Sequence, residues 1–514
     1  MENNTQNLNQ ILIGKSENLE EASILLNMAN RHGLISGATG SGKTVTLQVL
    51  AESFARCGVN VFAADVKGDL AGVSQKGVMN PKIESRVESL KLEDYQNEGS
   101  NVIFWDIFGK QGHPLRITVT DIGANLLSRI LGLSDTQEQV LELIFLIAKD
   151  KNLPLIDLKD LKALFDLVLE DLDNIKVKYG YIAPQSLGVI QRKVVNFNEQ
   201  GADDFIGEPS FKINDLFQKS KDGKGYINIL DSRILMNDKR LYSSFLLWLL
   251  SKLFEELDEV GDMEKPKLVF FFDEAHLLFK DASATLLEKI EKVVRLIRSK
   301  GVGVYFVTQN PKDVPDTVLS QLGNRVQHVL RAYTPDEQKA LKSAAKSYRS
   351  ELSVDEVQNL ISSLAVGEAL VSTLDKKGVP QIAKKVTVVP PRSLMGAITD
   401  EQRKDILKTS PFNGIYDEKI DNESAFEILQ KQYKEASDND SKNEKENDKL
   451  PSKGTKKDVE FKEIKDKKIS SKTTSTKYTK TERMILSSLR SFLRTIGKEA
   501  IKILLGSFSK KGRR

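Results

Sequence analysis

Gly37-Ala38-Thr39-Gly40-Ser41-Gly42-Lys43-Thr44 fits G-x-x-x-x-G-K-[ST] at every position, between strand-like Gly33-Leu34-Ile35-Ser36 and a helical pattern from Lys43 to Arg56. A strand, a glycine loop and a helix in that order commit the chain to a parallel sheet whose ligands gather at the C-terminal edge. The glycines let successive backbone N–H groups converge on phosphate oxygens, and the helix N-terminus adds its positive end. Lys43 is placed to neutralise the β and γ phosphates, Thr44 to ligate Mg²⁺, and Val45 completes the expected nucleotide-binding set. ATP and Mg²⁺ are the expected ligands.

Such a loop needs a partner strand ending in a carboxylate, and Leu268-Val269-Phe270-Phe271-Phe272-Asp273-Glu274 supplies one. Asp273 is expected to reach the Mg²⁺ shell through water, and Glu274 to polarise the attacking water as general base. Gln309 ends the next strand, Tyr305-Phe306-Val307-Thr308, where its amide is expected to sense the γ-phosphate or simply to end the strand. Asp65 closes the strand after the P-loop helix, and it either assists the metal and water or caps the following turn. Transition-state charge also calls for a cation, and none is evident within these motifs, so an arginine from a neighbouring subunit is expected. Arg298 is the first candidate, with Arg325 and Arg331 in reserve. His276 lacks metal partners, and packing or relay suits it better than catalysis.

Strand-like runs alternate with helical patterns from about residue 33 to 390, which predicts an α/β, RecA-like P-loop fold with a parallel-rich central sheet. Strands are expected at 59–65, 101–106, 225–231, 267–274, 303–308 and 325–331, with a hairpin over 368–388. Residues 126–133, 136–149 and 158–172 are helical with no strand between them. The expected division is an N-terminal ATPase part at 1–120, a helical insertion at 121–215, a C-terminal ATPase part at 216–395 and a helical extension at 396–435. A polar linker at 436–480 too poor in apolar residues to order itself follows, and 481–514 end the chain.

The formal charge of +4 is unevenly spread. Residues 451–514 hold 19 Lys and Arg against 6 Asp and Glu, a net of +13, so residues 1–450 carry 4 minus 13, or −9. Within the tail, Ile485, Leu489, Phe492, Ile496, Ala500 and Ile503 form one stripe and Arg490, Arg494, Lys498 and Lys502 another, which predicts a basic amphipathic helix for acidic lipid or DNA, or for packing on the protein's own body. Cys57 is the one cysteine, so no internal disulfide can form, and the four histidines have no zinc-ligand spacing. No signal-peptide pattern and no apolar run near the roughly 18 residues that span a bilayer is present, so a cytoplasmic protein is expected, with the tail as a means of peripheral attachment to membrane or nucleoid.

At these residues the chain resembles the HerA–FtsK superfamily of ring-forming ATPases, and within it the HerA-like ATPases. The resemblance covers roughly residues 8–395. It is carried by Asn30-Arg31-His32 with the P-loop, Asp65-Val66-Lys67-Gly68-Asp69-Leu70, Asp273-Glu274-Ala275-His276, Arg298-Ser299-Lys300-Gly301-Val302-Gly303, Thr308-Gln309-Asn310-Pro311 and Pro390-Pro391-Arg392-Ser393. It implies a homohexameric ring with ATP between subunits and double-stranded DNA passing through the centre. It assigns Lys43 and Thr44 to nucleotide and Mg²⁺, Asp65 and Glu274 to catalysis, and Arg298 to the finger acting in trans. Only about 30 residues precede the P-loop, where archaeal relatives carry a β-barrel that docks a nuclease, so a nuclease partner is not expected. A DNA translocase or helicase is the first reading; a motor of the same fold acting on protein, and a nucleotide-gated scaffold tethered by its basic tail, are the alternatives.

Overall fold

Leu268-Val269-Phe270-Phe271-Phe272 has no polar face, so it can be a strand only where helices cover both sides of a sheet. The computed structural model, which describes residues 9–280, 282 and 284–435, places it at the middle of a 12-stranded sheet. The strands are β1 (Gln10–Lys15), β2 (Glu21–Leu25), β3 (Gly33–Ser36), β4 (Asn60–Asp65), β5 (Val102–Asp106) and β6 (His113–Pro114). They continue with β7 (Ile227–Asp231), β8 (Leu268–Phe272), β9 (Val302–Thr308), β10 (Asn324–Gln327), β11 (Glu368–Ser372) and β12 (Lys384–Val388).

Their order is β2-β1-β12-β11-β10-β3-β9-β8-β4-β7-β5-β6. From β10 to β6 every pairing is parallel, and from β10 back to β2 every pairing is antiparallel. This is the parallel-rich, RecA-like sheet that the alternating pattern predicts. The P-loop strand β3 and the acidic strand β8 are held one strand apart by β9, so all three end on one edge.

Helix Lys43–Arg56 covers one face, burying Leu47, Leu50, Ala51 and Phe54 against Val61, Phe271 and Tyr305. Helix Lys239–Glu256 has apolar residues nearly all round, and 12 of its residues are buried. Its N-cap Asp238 accepts from the N–H groups of Arg240 and Leu241. The Pro-Pro-Arg-Ser segment is tied back to the P-loop helix through buried Glu52, which accepts from the N–H of Arg392 at 2.7 Å and of Ser393 at 3.2 Å, and from the Ser393 hydroxyl at 2.6 Å. Burial pushes the Glu52 carboxyl above its ordinary range, and these donors pull it back.

Helices at Val119–Leu131, Asp135–Asp150, Leu158–Glu170, Leu172–Tyr179 and Pro184–Glu199 interrupt the sheet sequence, with no strand among them. The first is kinked at Gly123, whose φ of 72° breaks the helix. Two compact units result. The first takes the described residues up to Leu146, Leu155–Leu158 and Gln185–Asn422, and holds the sheet. The second takes Ile147–Pro154, Lys159–Pro184 and the described residues from Glu423. In it, Asp160 accepts from the N–H of Phe426 at 2.8 Å and from the Ser424 hydroxyl at 2.5 Å, and Lys159 pairs with Glu427 at 2.9 Å.

Three features depart from the sequence reading. Residues 10–25 form the β1–β2 hairpin that extends the antiparallel side. Helices Pro335–Lys346 and Val354–Ser363 fill the stretch before β11. The strand expected over 325–331 ends at Gln327, because its parallel partner β3 ends at Ser36 where the P-loop begins; His328 N–H still donates to the Ser36 carbonyl at 2.7 Å. The linker over 436–480 and the basic helix over 481–514 lie outside the described residues. Among the described residues no helix is long and apolar enough to cross a membrane.

Candidate functional site

The P-loop is held from both flanks: Gly37 N–H donates to Thr308 O at 3.3 Å, and Ala38 N–H to Val329 O at 2.8 Å. Gly37, Gly40 and Gly42 take φ of 154°, 75° and 112°, which is why these positions are glycine. A Cβ on Gly37 would also stand 2.5 Å from His328 Cβ. His328 is a buttress that sequence reading missed. Its Nδ1 is 2.9 Å from the Glu368 carbonyl, which only accepts, so Nδ1 carries the proton and Nε2, 2.9 Å away, accepts from the Thr46 hydroxyl. Burial, then the charge of Lys43, lowers its pKa to about 4, so the ring stays neutral.

Lys43 Nζ donates to the carbonyls of Gly37 at 2.7 Å and Ala38 at 3.0 Å. Burial lowers its pKa, while the charges of Glu274 and then Asp273 oppose that shift. The acidic pair and the P-loop lysine are thus in one electrostatic environment, as a Mg-nucleotide site requires. Asp273 is shifted the other way, from 3.8 to about 7, by burial first and by Glu274 second, with Lys67 and Lys43 pulling it down.

Tyr242 fixes this acidic turn from below, its hydroxyl donating to Asp273 O at 2.9 Å. Asp273 Oδ1 accepts from Glu274 N–H at 2.9 Å, and Ala275 N–H returns to Val307 O. Between those anchors Glu274 sits at φ 48°, a left-handed conformation that costs a non-glycine residue about 1–3 kcal/mol. That strain aims the side chain. Glu274 Oε2 is buried with no hydrogen-bond partner; His276 Nδ1 is 3.3 Å away but not in hydrogen-bond geometry. Ser41 Oγ of the P-loop is likewise buried and unpartnered. Two orphaned oxygens beside Lys43 fit a site built for an added cation and a water.

Gln309 is brought to the P-loop, with Thr39 Oγ1 3.4 Å from its Oε1. Thr44 and Val45 open helix Lys43–Arg56. Asp65 is engaged as a turn cap: its two oxygens accept from Gly68 N–H at 2.7 Å and Leu70 N–H at 3.2 Å. Burial, then Asp69, raises it to about 6. Lys67 in that turn is exposed, and its charge acts on both Lys43 and Asp273, so a cation the sequence reading passed over lies at the site after all.

The three arginines separate. Arg298 precedes β9, at the sheet edge opposite the P-loop, where burial and then neighbouring Arg31 lower its pKa. Arg325 is committed within the chain, its guanidinium donating to the carbonyls of Leu322, Ser347 and Leu319 at 3.0, 3.1 and 2.9 Å. Arg331 is exposed just beyond β10, on the P-loop's own edge.

A P-loop at the end of β3, an acidic pair beyond β8 and a polar sensor position beyond β9 define a RecA-like P-loop nucleotide-binding fold. The chain belongs to the helicase HerA-like C-terminal family, which matches residues 10–514. It is 26% identical over 371 residues to the DNA double-strand break repair helicase HerA of Sulfurisphaera tokodaii, covering 68% of this chain and 64% of that protein. With the protein of the same name from Sulfolobus acidocaldarius it shares 24% identity over 362 residues, again 68% and 64%. The chain thus spans less than two thirds of these relatives. Among solved structures, VirB4 of Thermoanaerobacter pseudethanolicus aligns at 16% identity and a TM-score of 0.48, covering 73% of this chain and 96% of that one. The plasmid coupling protein TrwB in complex with ADP and Mg²⁺ aligns at 16% identity and a TM-score of 0.46, covering 75% and 97%.

The shifted Asp273 has a measurable consequence. Its folded pKa, about 7, lies above its ordinary 3.8, so the folded protein holds a proton there that the unfolded chain has released. Wild-type stability therefore loses this contribution as pH rises from about 4 to about 7, whereas Asp273→Asn has none to lose. Without nucleotide, the melting temperature of the variant minus that of wild type should widen across that window and level off above it. Parallel pH profiles for the two proteins would contradict the assignment.

Proposed function

We propose that the protein hydrolyses ATP and couples the reaction to movement along double-stranded DNA. One observation carries the first half: Glu274, in a strained turn beside Lys43, presents a buried oxygen with no hydrogen-bond partner. Lys43 and the P-loop amides bind the triphosphate. Glu274 takes a proton from the attacking water as the new P–O bond forms at the γ-phosphorus and the bond to the β-phosphate oxygen breaks. ADP and inorganic phosphate leave. Gln309 orients the γ-phosphate end, and Thr44 and Asp273 would hold Mg²⁺, Asp273 through water. When bound, Mg²⁺ supplies charge neutralisation on the β and γ oxygens.

Asp65 shapes the Gly68–Leu70 turn that carries Lys67, so its contribution is positioning. Arg298 lies at the sheet edge opposite its own P-loop, which suits a finger offered to the next subunit of a homohexameric ring. Arg331, on the P-loop edge, remains in reserve. A DNA substrate is supported by the name of the curated relatives, DNA double-strand break repair helicase, and its double-stranded form is what the family resemblance implies.

Duplex DNA should stimulate ATP turnover severalfold, with the effect weakening as salt rises. Turnover unchanged by DNA but raised by a polypeptide would favour a protein-directed motor. Arg298→Ala should abolish turnover with nucleotide affinity nearly intact, since a finger acts on transition-state charge. Mixing Arg298→Ala with Glu274→Gln subunits should restore part of the activity at interfaces that pair an intact Glu274 with an intact Arg298. No recovery despite proven subunit exchange removes Arg298 from the site.

A further inference from the structure

The sheet order gives a nucleotide at the P-loop a direction. On one side of β3 lie β9 and β8, whose ends carry Gln309 and Glu274; on the other lie β10, β11 and β12. A triphosphate with its γ end toward Glu274 therefore leads its ribose and base out over the β10–β11 side. There the turn before β11 presses on the P-loop. Gly367 N–H donates to Ser41 O at 3.3 Å, and a Cβ on Gly42 would stand 3.5 Å from Gly367 N.

Gly367 has φ of 84° and lies directly under a guanidinium: a Cβ there would meet Arg86 Nη1 at 2.4 Å and Cζ at 3.1 Å. Arg86 belongs to helix Pro81–Ser89, which is fixed at its start by Asn80 Oδ1, accepting from the N–H groups of Lys82 and Ile83 at 3.1 Å each. Beyond its end, Leu90 packs with Val49 and Val389, and Val45 and Leu92 close over that cluster. The helix is thereby clamped beside the first turn of the P-loop helix. Arg86 is half-buried, yet among the described residues its guanidinium has neither a hydrogen bond nor an ion pair. A planar cation held against a bare glycine and left unpartnered is suited to an aromatic face, because it can stack as well as attract.

We propose that Arg86 holds the base end of the nucleotide, its guanidinium stacking on the nucleobase beside the Gly367 turn. The φ of 84° at Gly367 favours glycine, and a side chain there would also displace that guanidinium. Stacking does not read base edges, so this contact adds affinity for purine nucleotides without choosing between adenine and guanine. The inference rests on the nucleotide-site reading, and deepens it by locating the base.

Calorimetric titration of the full chain with ADP and, separately, with inorganic pyrophosphate, both with Mg²⁺, tests it. Arg86→Ala should weaken ADP roughly tenfold and leave pyrophosphate within about twofold of wild type. Arg86→Lys should lose nearly as much ADP affinity, since the charge stays and the plane goes, at an unchanged melting temperature. Unchanged ADP binding in either variant overturns the proposal, and so does an equal loss of both ligands, which would put Arg86 on the phosphates. If the unaltered protein bound neither ligand, the nucleotide-site reading itself would fall and take Arg86 with it; failure in the variants alone leaves that reading standing.

Discussion

Lys43 and the Asp273–Glu274 pair share one desolvated corner at the C-terminal edge of the sheet, and the rest of the structure is arranged around keeping them there. Burial lowers Lys43 and raises Asp273; the attraction between them opposes both shifts, helped at Asp273 by the Glu274 N–H and the charge of Lys67. Such a set is unsatisfied by itself. It is suited to polyanionic phosphate with its accompanying cation, which bring the complementary charges at once. The strand order makes the arrangement possible, since β9 spaces β3 from β8 and contributes Gln309 between them.

Supports behind the site explain residues that touch no phosphate. Neutral His328 carries the underside of the P-loop between Thr46 and the Glu368 carbonyl. Tyr242, from helix Lys239–Glu256, fixes the backbone of Asp273. Glu52 ties the Pro390–Ser393 segment to the P-loop helix, so the far end of the ATPase fold braces its first helix. These groups are buried and mostly saturated, and a hydrogen-bonded interior of this kind holds a loop in one geometry.

The P-loop and the acidic strand end were legible because their patterns are local. The P-loop spacing, the apolar run ending in Asp273-Glu274 and the alternation of strands and helices each need only a few neighbouring residues. The sequence reading placed the P-loop helix at Lys43–Arg56, where the structure has it. Arg86, His328 and Tyr242 were not legible as site residues, since long loops and crossovers bring them in, while Lys67 stood in the quoted Asp65–Leu70 segment with nothing to mark its charge as facing the P-loop. Some signals were present but unread. Thr334-Pro335-Asp336-Glu337 and Ser353-Val354-Asp355-Glu356 are capping boxes for the two helices before β11. Asp65 read equally well as a metal assistant or a turn cap, and only the Gly68 and Leu70 amides show the cap.

If Lys43 binds the phosphates while Glu274 activates the water, the two roles can be separated. ATP affinity and single-turnover hydrolysis of Lys43→Ala and Glu274→Gln test it most directly. Lys43→Ala is expected to bind ATP much more weakly, and Glu274→Gln to bind ATP like wild type but fail to cleave it. Hydrolysis by Glu274→Gln at the wild-type rate would contradict it.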